Sequence, residues 1–313
     1  ITGTGLSGAT GVTIDGFPFL TVLSNTATQI VVRGIPPHVT GPAHIQVTNA
    51  YGTSVQNSAD VYTYQGLPSL TGLSPGSGPV AGGNTVVLTG TGFTTTTGVT
   101  FGSNAAVFTV NSDTQITATV PAHAAGSVDV VVQTLYGLTG GSNPLQYTYV
   151  PVPVVNVVSP GSGPIAGGTV VTVTGTGFTG ATSVSFGGTA ATGVSVSSDT
   201  RITVFAPAHA AGTVDVTVTS AGGTSVTSVA DRFTFVAAPT VTALSPGTGP
   251  TTGTTSVVIT GTDLLNASTV VFFGGNNATS FTVDSNTQIT AVTPAHGAGT
   301  VDVRVTAVGG TSA

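Results

Sequence analysis

The 313-residue chain has no cysteine, methionine, tryptophan, lysine or glutamate, and its charge consists of ten aspartates and four arginines. Without cysteine there are no disulfides and no thiolate metal sites, so each folded part rests on packing and hydrogen bonds alone. Without lysine there are no lysine-derived isopeptide links. Losing Glu, Lys and Met removes most of the strong helix formers apart from Ala and Leu. Four scattered arginines and a net charge of −6 cannot neutralise a run of phosphates, which excludes nucleic acid as a partner. No apolar run approaches membrane-span length; the most apolar stretch, Val150 to Val158, is broken by Pro151 and Pro153.

What remains is rich in Val, Thr and Ile, which suit a pleated surface, with 45 Gly and 18 Pro to supply turns. This composition predicts an all-β protein. Hydrophobic residues at 39% and a mean hydropathy of +0.44 give enough apolar surface to order the chain despite its glycine and proline. With 4% charged residues, the surface is covered by hydroxyls, amides and backbone. Such a surface repels copies of itself only weakly.

The chain repeats. Ser74-Pro-Gly-Ser-Gly-Pro79, running on to Gly90-Thr-Gly-Phe93, returns as Ser159 to Phe178 and more loosely as Ser245 to Leu264. Pro121-Ala-His-Ala-Ala-Gly-Ser-Val-Asp-Val130 returns as Pro207 to Val216 and Pro294 to Val303, with a worn copy at Pro36 to Ile45. Gly3, Gly90, Gly175 and Gly261 lie 87, 85 and 86 residues apart. A period of about 86 exceeds the solenoid range and falls among small domains that fold alone. The expected units are 1–66, lacking a first strand; 67–151; 152–238; and 239–313, lacking a last strand. On this reading the chain is a window in a longer array, joined through short Pro-rich segments such as Val150 to Val154 that hold the chain extended.

In the second unit, alternating runs predict strands over 70–73, 85–89, 99–101, 106–110, 115–120, 127–133 and 145–150. Seven strands at this spacing make an immunoglobulin-like sandwich. In Val128-Asp-Val-Val-Val132, alternation puts Val128, Val130 and Val132 on the core face and Asp129 outward. Asp215 and Asp302 occupy the equivalent place and also face out.

With those phrases come Val184-Ser-Phe-Gly-Gly188 and Ser198-Asp-Thr-Arg-Ile-Thr203, and together these motifs resemble the IPT/TIG family of immunoglobulin-like domains over essentially the whole chain. The family occurs in cell-surface receptors, in certain transcription factors, beside catalytic domains acting on polysaccharides, and in tandem in bacterial exported proteins. The chain is most similar to the last group: it departs from the receptors by lacking Cys and from the transcription factors by lacking a basic DNA-facing loop. The resemblance implies an extracellular or cell-surface location in a prokaryote.

Each motif also has a structural reading. Pro-Gly-x-Gly-Pro breaks a strand and offers glycines for positive φ. Gly-x-Gly-Phe turns the backbone and drops Phe93 or Phe178 into the core, and with no helix following it is no phosphate loop. Asp113 and Asp199, like Asn25 and Asn286, are expected to close Asx turns. His38, His123, His209 and His296 recur once per unit and so cannot converge on one metal; they read as turn histidines bonded to backbone. His44 adds a second histidine to the first unit without a third ligand. Asp60 and Asp231 are calcium candidates, but neither has a second carboxylate nearby in sequence. No nucleophile elbow accompanies any Ser, and without Glu the commonest glycosidase acid is missing, leaving single Asp residues in each unit as the candidates. The expectation is no catalytic, metal or cofactor site. Asn266-Ala-Ser268 and Asn277-Ala-Thr279 are possible N-glycosylation triplets.

The leading expectation is therefore a structural or adhesive fibre or stalk that partners copies of itself in a filament. The alternative is a set of glycan-binding accessory modules in a larger exported protein. Because most Phe and Tyr fall at core-like positions and sugar platforms need exposed flat rings, the aromatics discriminate between the two.

Overall fold

The computed structural model describes residues 1–19, 21–140 and 144–313. Two compact units divide the chain: one comprises Ile1–Gly76, Gly83–Pro121 and Val128–Tyr147, the other Ser77–Gly82, Ala122–Ser127 and Thr148–Ala313. Strands account for nearly all regular structure, and the helix among the described residues is a single 3-10 turn, Val229–Asp231. The architecture is all-β and immunoglobulin-like, as composition and spacing require.

In the first unit, strand Gly11–Ile14 pairs with Gly41–Asn49, which also pairs with Val61–Tyr64; Thr21–Asn25 and Ile30–Arg33 form a hairpin. Leu6, Val12 and Ile30 are buried together there. The residues that echo the end of a second strand, Ile1 to Leu6, form only an isolated bridge, Thr2 to Gln29. Further along, Val107–Ser112, Gln115–Thr119, Thr85–Thr91 and Ser69–Ser74 form a four-stranded antiparallel sheet, and Thr96–Phe101 pairs with Gly126–Thr134.

The second unit contains one sandwich with every strand in place. Its first sheet orders Val154–Ser159, Val170–Thr176, Arg201–Phe205 and Thr192–Ser198; the second orders Ser162–Pro164, Arg232–Val236, Gly212–Ser220, Ser183–Phe186 and Thr189–Ala190. Alternation turns Val171, Val173, Ile202 and Val204 inward from one sheet to meet Val184, Phe186, Val216, Val218, Phe233 and Phe235 from the other. Residues 239–313 follow the same plan, with Thr240–Ser245, Ser256–Thr262, Gln288–Val292 and Ser280–Ser285 in one sheet and Asn276–Asn277, Ala267–Phe273, Val303–Ala307 and Gly310–Thr311 in the other.

The expected register holds: Val130, Val216 and Val303 are buried, Asp129 and Asp302 exposed, and Asp215 half-buried. Val128, one step nearer the strand end, is half-buried rather than in the core. The Ser-Pro-Gly-Ser-Gly-Pro phrase is more than the expected break. It opens with a cis Ser-Pro bond in three copies, and in two its second half is a strand: Ser77–Pro79 and Ser162–Pro164 run parallel to Gln146–Val150 and Arg232–Val236. The left-handed glycines come later, at Gly82, Gly83, Gly167 and Gly168. A three-residue parallel strand carries no alternation to read, which is why the sequence shows only a turn.

Candidate functional site

The recurring residues build a scaffold. In Gly-Thr-Gly-Phe the first glycine lies against its neighbour strand, where a Cβ at Gly90, Gly175 or Gly261 would collide with the carbonyl of Ser69, Val154 or Thr240. The next glycine turns the chain at a φ of 76° for Gly92 and 73° for Gly177, and Phe93 and Phe178 become fully buried. In the last copy Asp263 takes the left-handed position and Leu264 the core.

Asp113 and Asp199 do not close the local turns expected of them. Ser112 and Ser198 do so, their hydroxyls accepting from the amides of Thr114 and Thr200. The aspartates reach instead to the Gly-Thr-Gly-Phe loop. Asp113 accepts from the Gly92 amide and from the amide and hydroxyl of Thr94; Asp199 does the same with Gly177 and Thr179. The Thr94 hydroxyl and the loop amides hold Asp113 below the ordinary carboxylate range, and the Gly177 amide followed by Thr179 does so for Asp199. Asn286 accepts from the Leu265 amide in the same way, whereas Asn25 donates to the Ala9 carbonyl.

The four recurring histidines are turn residues: Nδ1 of His38, His123, His209 and His296 lies 2.8–2.9 Å from the carbonyl oxygen of the following residue. Three also stack on a ring of the last strand, His38 on Tyr64, His123 on Tyr149 and His209 on Phe235, at centroid separations of 4.9–5.0 Å. The sequence placed these histidines in turns but gave no sign of the stacking, because each ring is about 26 residues downstream.

Two pairs join residues that the sequence kept apart. Asp15 lies 3.2 Å from His38 Nε2 and also accepts from the His44 amide, while the His44 ring meets Asp60. The bond from His44, reinforced by the Asn57 amide, lowers the Asp60 pKa. The place held by His44 and Asp60 is held by Asp215 and Asp231 two repeats on. There Asp231 is fully buried, caps the 3-10 turn by accepting from the Ser228 amide at 2.6 Å, and has one oxygen without a partner. Burial first, and the nearby Asp215 after it, push its pKa up. Asp215 is thus the second carboxylate near Asp231 that sequence spacing did not offer. Among the described residues no three histidines or carboxylates gather around a metal-sized site. Asn266 and Asn277 are both exposed.

Phe93, Phe101, Tyr147, Tyr149, Phe178, Phe186, Phe233, Phe235 and Phe273 are buried, and a minority of the aromatic residues lies at the surface. Tyr51 is 98% exposed at a hairpin tip, Tyr136 at the equivalent tip is 50% exposed, and Phe17 and Phe205 are also exposed. For Tyr51 and Tyr136 no signal exists in the pattern, because hairpin tips lack periodicity.

These features define tandem immunoglobulin-like sandwiches whose recurring polar residues serve turns and caps. The IPT/TIG domain family matches residues 68–149, 153–235 and 239–313, and the chain belongs to that family. No curated protein matches it. Among solved structures, the plexin A4 extracellular region, domains 1 to 10, is 17% identical with a TM-score of 0.39, the match covering 96% of this chain and 34% of that one. SGBP-B from a complex xyloglucan utilization locus in Bacteroides uniformis is 21% identical with a TM-score of 0.27, covering 69% and 56%. Invasin, a bacterial integrin-binding protein, is 12% identical with a TM-score of 0.29, covering 95% and 68%. The chain spans about a third of the plexin region and over half of the Bacteroides protein, and the family assignment rests on the sequence match. Among the described residues, no helix is long and apolar enough to cross a membrane.

Proposed function

We propose that this chain is a non-catalytic structural array of IPT/TIG domains in a prokaryotic exported or surface protein, acting as a stalk or adhesive fibre. The observation that carries the reading is the use of the recurring polar residues: the histidines bond their own turns and stack on last-strand rings, and Asp113 and Asp199 tie down loop amides. Side chains occupied in this way hold a fold together and are not presented to a substrate. Residues 1–66 count as a fourth, divergent repeat, supported by the same histidine stack at His38 and Tyr64. Self-association into filaments belongs to the proposal. A surface with four arginines and ten aspartates offers little electrostatic opposition to it, and Val107, Val154, Val157, Val170 and Phe205 stand exposed. N-glycans on Asn266 and Asn277, both exposed, would oppose such packing locally.

Glycan binding is the second reading, favoured by the exposed Tyr51 and Tyr136, which offer flat rings to a sugar. A glycan array with the purified chain, run beside sedimentation velocity, decides between the two. The stalk reading expects no saturable binding and concentration-dependent self-association. Saturable micromolar binding that disappears in the Tyr51→Ala, Tyr136→Ala double variant would replace it with the glycan-binding reading, and a chain monomeric at all concentrations would remove the filament.

A further inference from the structure

Asp60 and Asp231 hold the same place, just ahead of the last strand of their repeats, and each ties down a turn. Asp60 Oδ2 accepts from the Asn57 amide at 2.7 Å, and Asp231 Oδ2 accepts from the Ser228 amide at 2.6 Å. The other oxygen differs. Asp60 Oδ1 meets Nδ1 of His44, whereas Asp231 Oδ1 has no hydrogen-bond partner although Asp231 is fully buried. The residue standing where His44 stands is Asp215, and its carboxyl lies beside Asp231. In residues 67–151 the same two places hold Asp129 and Leu145, so no carboxylate pair arises, and Asp129 accepts from the Gln146 side chain.

Two ionised carboxylates offer each other only acceptors, and a buried acceptor left without a donor is destabilising. A proton on one of them turns that repulsion into a hydrogen bond. The two carboxyls are unequal in their claim on it. Asp215 is half-buried and has the Arg232 guanidinium 3.9 Å away, which favours its charged form, while Asp231 is cut off from solvent. The elements around the turn Val229–Asp231 bring no other charge: Val154–Ser159 carries none, Gly212–Ser220 carries only Asp215, and Arg232–Val236 only Arg232.

We infer that Asp215 and Asp231 share one proton and so form a pH-sensitive latch between strand Gly212–Ser220 and the turn that leads into the last strand. With the proton on Asp231, its carboxyl donates to Asp215 while Oδ2 keeps the Ser228 amide. When that proton leaves to water, two negative charges face each other and the turn loosens from the strand. The turn also packs on Val154–Ser159, so both contacts loosen together. The sign follows from the raised pKa of Asp231, caused first by burial and then by Asp215: the latch is fully closed below the ordinary aspartate range and is released as pH rises through the folded value. The inference is independent of the stalk and glycan readings, since either array would carry the latch.

The test uses the full 313-residue chain with isotope-labelled aspartate carboxyls, followed by NMR from about pH 3 to about pH 8. Asp215 and Asp231 should titrate as a coupled pair, with the upper step above the ordinary aspartate range. Across that step the amide protection factors of 228–231 should fall about tenfold or more, because one unit of pKa displacement is a tenfold change in the opening equilibrium. Protection of Val130, whose amide bonds the Leu145 carbonyl, should stay level. Asp231→Asn stays neutral and can still donate, so it should keep the protection and lose its pH dependence. Asp215→Asn should bring the upper step down. An Asp231 that titrates in the ordinary range, turn protection that ignores pH, or a step unmoved by Asp215→Asn overturns the shared proton. Restoration of turn protection at neutral pH by about 1 mM calcium would make the pair a metal site and overturn it as well.

Discussion

Residues 152–238 and 239–313 are close to a controlled comparison. They share the cis-proline phrase, the Gly-Thr turn, the turn histidine and the Gly-Thr-Val-Asp-Val run, yet the strand that carries this run differs in extent between them. In residues 152–238, where Arg232–Val236 pairs with it, Gly212–Ser220 is a nine-residue strand; in residues 239–313 the equivalent strand is Val303–Ala307. Identical local sequence therefore does not decide whether Gly-Thr-Val-Asp is sheet. The partner does, because an extended backbone without ladder hydrogen bonds gains nothing over a solvated loop.

The largest effect should come from weakening the strand that pairs with Gly212–Ser220. Phe233→Ala in the fully buried last strand should destabilise residues 152–238 by about 3–5 kcal/mol, measured by urea denaturation. It should also raise amide exchange in 212–215 toward the level of 299–302.

Gly175→Ala attacks a feature common to both repeats. Its Cβ would meet the Val154 carbonyl, so the strand must shift, at a cost of about 2–4 kcal/mol. Gly261→Ala, set against the Thr240 carbonyl, should cost a similar amount. A marked inequality between the two would mean that the two repeats differ in how far the neighbouring strand can shift.

A smaller effect separates two aspartates of opposite sign within residues 152–238. Asp231 has a raised pKa from burial, so the stability it provides is full below the ordinary aspartate range and is lost as pH rises through its folded value. Asp231→Asn should therefore stabilise the repeat at pH 7 by about 1 kcal/mol, with the gain fading on acidification. Asp199 has a lowered pKa from loop amides and Thr179, so its contribution is present above the unfolded value and lost as pH falls through the folded one. Asp199→Ala should lower the midpoint at pH 7 and become silent in acid. Urea titrations at a series of pH values check both.

Much of this was legible in the sequence. Repeats, all-β composition and the Val-Asp-Val register follow from period-2 alternation, and Phe93 and Phe178 reach the core as their motif required. What escaped shares one cause, dependence on distant partners. Ser77–Pro79 is a strand only because Thr148–Val150 lies beside it, and Asp199 serves a loop some 20 residues upstream in place of its own turn. The second carboxylate beside Asp231 comes from the neighbouring strand. Tyr51 and Tyr136 escaped for a different reason: at a hairpin tip nothing in the pattern separates an exposed ring from a buried one.

The most direct test of the account is amide hydrogen exchange on the unmodified chain, comparing residues 212–216 with 299–303. If the aromatic strand creates the sheet, the first segment is protected while Gly299 to Asp302 exchange rapidly, and protection resumes at Val303. Equal protection of the two segments would contradict the account, because the Gly-Thr-Val-Asp run would then hold its strand without a partner.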